Sequence, residues 1–212
     1  MISQMQAIST NPNPSRTEMV ILSGQLNFKK LGQSYLESTR PLTAHKRHFI
    51  DKFPQNSLYV GPIHLALPNA SIIFVERHPL DVCYAMYKQL FTEIYQFSYD
   101  LEELADYFIA HQKLMEHWQK TLPGIIHVVR YEDLLADAET SARKMLNHCN
   151  LDWQPRCLDF QNNKQVTMTA SAAQVRQKMY TTSVGMWRNY ETQLEPLINK
   201  LDAAGILKNW PM

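Results

Sequence analysis

Apolar residues recur along this chain in two rhythms. Two unbroken apolar runs, Ser71-Ile72-Ile73-Phe74-Val75-Glu76-Arg77 and Ile125-Ile126-His127-Val128-Val129-Arg130-Tyr131, have the length and β-branched content of strands buried on both faces of a parallel sheet. Between and after them the spacing is helical. Leu80 to about Phe91 predicts one helix. Leu101, Leu104, Ala105, Phe108, Met115 and Trp118 share a face and predict a long amphipathic helix over 101–121, broken by Pro123-Gly124. Glu132-Asp133 open another helix, through Leu134, Leu135, Ala142 and Leu146 to about Asn147, with acids in the first turn as the helix dipole favours. Residues 152–185 are mixed and loop-rich, and Trp187 to Ile206 reads as a final helix ended near Gly205. Strand and helix alternate, which predicts the α/β class: a parallel sheet with helices on both faces.

The first 48 residues are less regular. Asn11-Pro12-Asn13-Pro14-Ser15 is turn chemistry, Met19–Leu22 is a short apolar run before Ser23-Gly24, and Leu31–Leu36 has the character of a helix end. The pattern sharpens at Phe49. Residues 49–53 predict a short strand stopped by Pro54, and Asn56 a cap for a helix through Ile63, Leu65 and Leu67 that ends at Pro68-Asn69. The domain reading is a poorly defined segment over 1–48 and one domain over 49–212.

Composition narrows the classes. The chain has 212 residues, 45% hydrophobic and 19% charged, an ordinary globular balance with room for a sizeable core. A formal net charge of +1 gives no support to broad nucleic-acid or membrane-surface binding, so any anion site is local. Cys83, Cys149 and Cys157 are odd in number and lack CxxC spacing. That argues against a disulfide framework and a zinc site and fits the cytoplasm. The eight histidines are scattered, and no metal is expected. The N-terminus has no secretory pattern, and no apolar stretch reaches the roughly 20 residues that span a bilayer.

The chemistry gathers where strands end. The first apolar run ends on Arg77, Pro79 follows, and a helix begins at once; the second ends on Tyr131. Anionic ligands of open α/β sheets sit at the carboxyl ends of strands, near helix N-termini, where a guanidinium can fork onto a phosphate. Lys52 follows the third predicted strand and can reach the same edge. Arginine, lysine and an aromatic hydroxyl suit a nucleotide that carries phosphates. Each residue also has a plainer reading. Arg77 can pair with Asp81 or Glu132, Lys52 can be solvated, and Tyr131 can simply pack on the following helix. Trp187 is a core anchor whatever the function, and Cys83 is buried rather than reactive.

Five motifs in order, Asp51-Lys52-Phe53-Pro54-Gln55-Asn56, Leu67-Pro68-Asn69-Ala70, Arg77-His78-Pro79-Leu80-Asp81, Tyr131-Glu132-Asp133-Leu134 and Ser171 to Tyr190, resemble the sulfotransferase family over about residues 49–200. The nearest branch is the bacterial one found behind tetratricopeptide repeats, similar to tyrosylprotein sulfotransferases. The resemblance implies a P-loop-like three-layer α/β sandwich around a central parallel sheet. It also implies sulfuryl transfer from 3′-phosphoadenosine 5′-phosphosulfate (PAPS) to a hydroxyl of a protein tyrosine, a glycan or a small molecule, without a metal. Carried over by position, Arg77 grips the 3′-phosphate, Tyr131 lies near the adenine, and Lys52 with Ser171 stabilises the leaving phosphate. Ser171 also reads as a helix N-cap.

The sequence departs from that pattern at three places. No Gly/Arg/Ser/Thr/Thr-type phosphosulfate loop is found in Asn11–Gly24, so the family's first strand and loop are missing from the pattern. Ala85 stands where a second phosphate-binding serine is usual. Met186 stands where a basic residue precedes the tryptophan, with Arg188 close enough to replace it in part. Two accounts remain: a shortened enzyme in which residues 1–48 stand in for the loop, or a non-catalytic module on the same fold that serves binding. A nucleotide kinase ranks low, because GxxxxGK[ST] does not occur. Surface left bare by a missing strand would also invite a homo-oligomer.

Overall fold

The computed structural model describes residues 5, 9, 11–91, 94–162 and 179–210. They fall into two compact units, Met1–Ala70 and Ser71–Met212.

The first unit is helical among the described residues. Helix α1 (Arg16–Ser23) starts at a reciprocal cap: the Ser15 hydroxyl accepts from the Glu18 N–H, and the Glu18 carboxylate accepts from the Ser15 N–H at 2.6 Å. Those bonds, led by the one from the Ser15 backbone, hold the Glu18 carboxyl below its ordinary range. Helix α2 (Phe28–Thr39) is capped by Asn27, whose side chain accepts from the Lys30 N–H at 2.9 Å. Helix α3 (Val60–Ala66) follows a 3₁₀ turn over Pro54–Tyr59. Gly32 of α2 lies so near the end of α3 that a Cβ there would stand 1.9 Å from the Ala66 carbonyl oxygen, so this contact requires glycine.

Two expectations fail in this unit. Residues 49–53 form no strand. Ile50 is 93% exposed, and Asp51 is held by side chains instead of a ladder, accepting from Tyr35 Oη at 2.6 Å and Asn56 Nδ2 at 3.3 Å. Asn56 therefore lies within the 3₁₀ turn and caps no helix.

The second unit carries both strands. Strand β1 (Ile72–Glu76) and strand β2 (Ile126–Arg130) pair in parallel, with Ile72 opposite Ile126 and Glu76 opposite Arg130. The crossover between them contains α4 (Pro79–Tyr87), a 3₁₀ turn over Gln96–Tyr99 and α5 (Leu101–Thr121). The long helix has the predicted bounds because Asp100 caps it, accepting from the Glu102 and Glu103 N–H groups at 2.8 and 3.0 Å. After β2 come α6 (Tyr131–Ala136) and α7 (Ala138–His148). One predicted helix is thus two, because Asp137 leaves the helical conformation and caps α7 through the Thr140 N–H at 3.0 Å. The predicted final helix also divides, into a 3₁₀ turn over Met186–Tyr190, α8 (Glu195–Ala203) and a 3₁₀ turn over Ile206–Asn209. Pro196 sits at the start of α8, where its missing N–H costs nothing, and Gly205 adopts φ +76° beyond its end.

The core of this unit joins α4, α5 and α8 at helical spacing: Leu80, Cys83 and Tyr84; Leu104 and Ala105; Leu197 and Leu201. Trp187, 2% exposed, fills its centre, and Cys83 is fully buried, as expected. Burial pushes the Cys83 thiol far up and keeps it inert. β1 departs from the expected burial on both faces, because Val75 is 56% exposed. The described residues supply two strands, a mixed helix and strand architecture with a small parallel sheet.

Candidate functional site

The carboxyl rim of the sheet brings Arg77 and Tyr131 together. Glu76 and Arg130 are paired at the ends of the two strands, so the next residue of each strand emerges at the same edge. The chain then turns into a helix on both sides, with α4 opening at Pro79 and α6 at Tyr131. A long-range bond ties the two exits: the His78 N–H donates to Glu132 Oε1 at 2.9 Å. His78 also caps α4, its Nδ1 accepting from the Leu80 N–H at 3.3 Å. Its ring is stacked on Trp187, with centroids 5.6 Å apart, and meets Trp210 edge-on at 5.5 Å.

Arg77 is held from three sides. Its Nη2 donates to the Ser183 carbonyl. The same nitrogen lies 3.8 Å from Asp81 Oδ2, and the guanidinium carbon sits 5.0 Å from the centre of the Tyr131 ring. The Tyr131 hydroxyl in turn lies 3.3 Å from the Ser183 hydroxyl. Among the described residues, three buried polar atoms of this region have no hydrogen-bond partner: Arg77 Nε, Glu132 Oε2 and Trp187 Nε1. Native interiors seldom leave such atoms unmatched, and water or a polar ligand can complete the bonding of each.

The remaining wall comes from the C-terminal segment. Gly185 adopts φ +72°, which turns the chain so that Asp81 accepts from the Gly185 N–H at 2.7 Å and the Trp187 N–H at 3.5 Å. Arg188 folds back over Trp187 at 5.0 Å, and a Cβ on Gly185 would lie 2.2 Å from its Nη1.

Of the residues singled out from sequence, Arg77, Tyr131 and Arg188 lie in this unit, and Arg77 touches Tyr131. Lys52 lies in the first unit, in the exposed stretch that precedes the Pro54–Tyr59 turn. Ser171 falls outside the described residues. The plainer reading of Arg77 is realised in part, because Asp81 is nearby while Glu132 bonds His78 instead. Ser183 carries no sequence signal. It becomes visible only when the fold brings it 106 residues back to Arg77.

A family model described as Sulfotransferase family matches residues 4–155. The chain belongs to the sulfotransferase family. That match includes Lys52, Arg77 and Tyr131. It starts well before the 49–200 span that the motifs suggested and stops short of the Ser171–Tyr190 motif. The chain is also similar to an uncharacterized protein of Aquifex aeolicus (strain VF5), 37% identical over 177 residues. The alignment covers 82% of this sulfotransferase-family chain and 23% of that protein, so the chain spans about a quarter of the relative's length. No helix among the described residues is long and apolar enough to cross a membrane, and no cluster of metal-ligating residues is found among them.

Proposed function

We propose that this chain passes a sulfuryl group from PAPS to a hydroxyl acceptor, on a P-loop-like three-layer fold of the tetratricopeptide-associated, tyrosylprotein sulfotransferase-like branch. The observation that carries the reading is the rim corner, where a preset guanidinium with an unpartnered, buried Nε stands over an aromatic ring. A 3′-phosphate suits that nitrogen, and the start of α4 adds the positive end of a helix dipole. Tyr131 offers its ring to the adenine. Arg188, already folded beside Gly185, is the nearby cation for the same nucleotide.

The chemistry follows from charge flow. The acceptor oxygen gives up its proton to a base and bonds to sulfur while the bond from sulfur to the bridging phosphate oxygen breaks, and that bond's electron pair stays on the departing 3′-phosphoadenosine 5′-phosphate (PAP). Catalysis is mainly positioning and neutralisation of that new charge, as in phosphoryl transfer. Lys52 and Ser171 are assigned the hydrogen bonds to the leaving oxygen. No metal enters the scheme.

One observation favours a second reading, a non-catalytic binding module: Arg77 already donates to Ser183 and faces Asp81, and Ala85 supplies no phosphate ligand. Turnover separates the two. PAP release from PAPS is measured with tyrosyl peptides, glycans and small phenols as acceptors. Acceptor-dependent release supports the enzyme; PAP binding without release under every acceptor supports the module.

A further inference from the structure

We propose that Asp81 is a positioning residue for the nucleotide site: it latches the Ser183–Trp187 turn onto the first turn of α4, and through that turn sets where the Arg77 guanidinium stands. The inference rests on the reading of Arg77 as the nucleotide anchor.

Asp81 is 1% exposed, and a buried carboxylate needs compensating donors. Its shortest bond runs to the Gly185 N–H at 2.7 Å, and a longer one reaches the Trp187 N–H at 3.5 Å. The distance to Arg77 Nη2 is 3.8 Å, beyond the roughly 2.7–2.9 Å of a charge-assisted bond. Distance therefore decides the role: the main grip of Asp81 is on the backbone turn, and the arginine is a secondary partner. The left-handed Gly185 lets two N–H groups of that turn converge on one carboxylate. The same turn presents Ser183, whose carbonyl receives Arg77 and whose hydroxyl meets Tyr131. Asp81 thus acts on both proposed nucleotide contacts through a segment more than a hundred residues away in sequence. At 3.8 Å Asp81 still offsets part of the Arg77 charge, but it takes up none of the guanidinium's close hydrogen bonds. Arg77 Nε has no hydrogen-bond partner among the described residues.

Asp81→Asn keeps the shape but removes the charge and sets an N–H donor against one of the backbone N–H groups. Two quantities are measured on the whole chain: PAP affinity by calorimetry, and hydrogen exchange of the Gly185 and Trp187 amides without nucleotide. PAP affinity should fall about tenfold or more, and both amides should exchange at least about tenfold faster. In an Arg77→Lys background the same change should cost less than about threefold, because it acts through the arginine. A lowered melting temperature with PAP affinity within about twofold of wild type overturns the inference, as does an equal loss in both backgrounds. Should Asp81→Asn fail to fold, Gly185→Ala displaces the same turn with the carboxylate kept; PAP affinity must fall there too, and unchanged affinity overturns the proposal. If wild type binds no PAP, the functional reading falls and this inference with it. If wild type binds, Arg77→Ala does not, and Asp81→Asn binds normally, only this inference falls.

Discussion

The strand-exit corner and the stretch around Lys52 each offer a cation for chemistry, and they are built in opposite ways. Arg77 is fixed by two partners far away in sequence, the Ser183 carbonyl and the Tyr131 ring, and by Asp81 one helical turn on, itself held by the distant Gly185 N–H. Around Lys52 the bonds stay within the first unit, from Tyr35 and Asn56 to Asp51, and Lys52 itself is exposed with no hydrogen bond or ion pair among the described residues. Burial and the Asp51 carboxylate push the Tyr35 hydroxyl up to about 12, and the bond between them orders the neighbour and not the lysine. A preset guanidinium spends little entropy when it meets a phosphate. A free lysine gives up roughly 2 kcal/mol of rotamer freedom, which suits a group that engages as charge develops. The contrast predicts that Arg77 governs nucleotide affinity and Lys52 governs turnover.

The largest expected effect tests the second half of that contrast. Lys52→Ala should lower kcat about 10²–10³-fold, as loss of one charge-stabilising donor does, with PAP affinity and melting temperature close to wild type. A matching loss of PAP affinity would place Lys52 with Arg77 as a binding residue. Gly185→Ala comes next. It forces a side chain into φ +72° and toward Arg188, which should cost about 1–2 kcal/mol and roughly 2–8 °C in melting temperature. An unshifted melt would show that the turn is not held as described. Tyr131→Phe removes only a 3.3 Å hydroxyl contact with Ser183 and should cost less than about 1 kcal/mol of stability, with Arg77 still over the ring.

The smallest effect concerns acid. Burial against Phe74 and Tyr107 lowers the His111 pKa from its ordinary 6.5, so the folded state holds fewer protons than the unfolded one near that pH. Stability is then full above about 6.5 and declines as pH falls from there toward the lowered value. Melting curves between pH 7 and pH 5 should show this decline, less steeply in His111→Leu. An unchanged slope would assign the acid sensitivity elsewhere.

What the sequence revealed follows from range. The strands, α4, α5 and the placement of Arg77 beside Tyr131 were legible because each depends on local periodicity, a cap or a strand-to-helix junction. Asp137 and Pro196 split two predicted helices because a single capping or ring residue outweighed a continuing apolar stripe. Residues 49–53 have strand composition but no partner strand among the described residues, and exposure of Ile50 reflects that. The capping box at Ser15 and Glu18 is present in the sequence and marks a helix start directly after the Asn11–Ser15 turn. Ser183 and the backbone hold of Asp81 were invisible, since both arise only when the C-terminal turn closes on the sheet rim.

The central claim is that the Arg77 corner seats an adenosine carrying a 3′-phosphate. Thermal unfolding with PAP at ~100 times its Kd tests it, because a ligand that binds only the native state stabilises it by about 2.7 kcal/mol there, roughly 5–10 °C for a chain of this size. Wild type should show that rise and Arg77→Ala none. A wild-type melt that does not move with millimolar PAP, or a rise that survives in Arg77→Ala, contradicts the account.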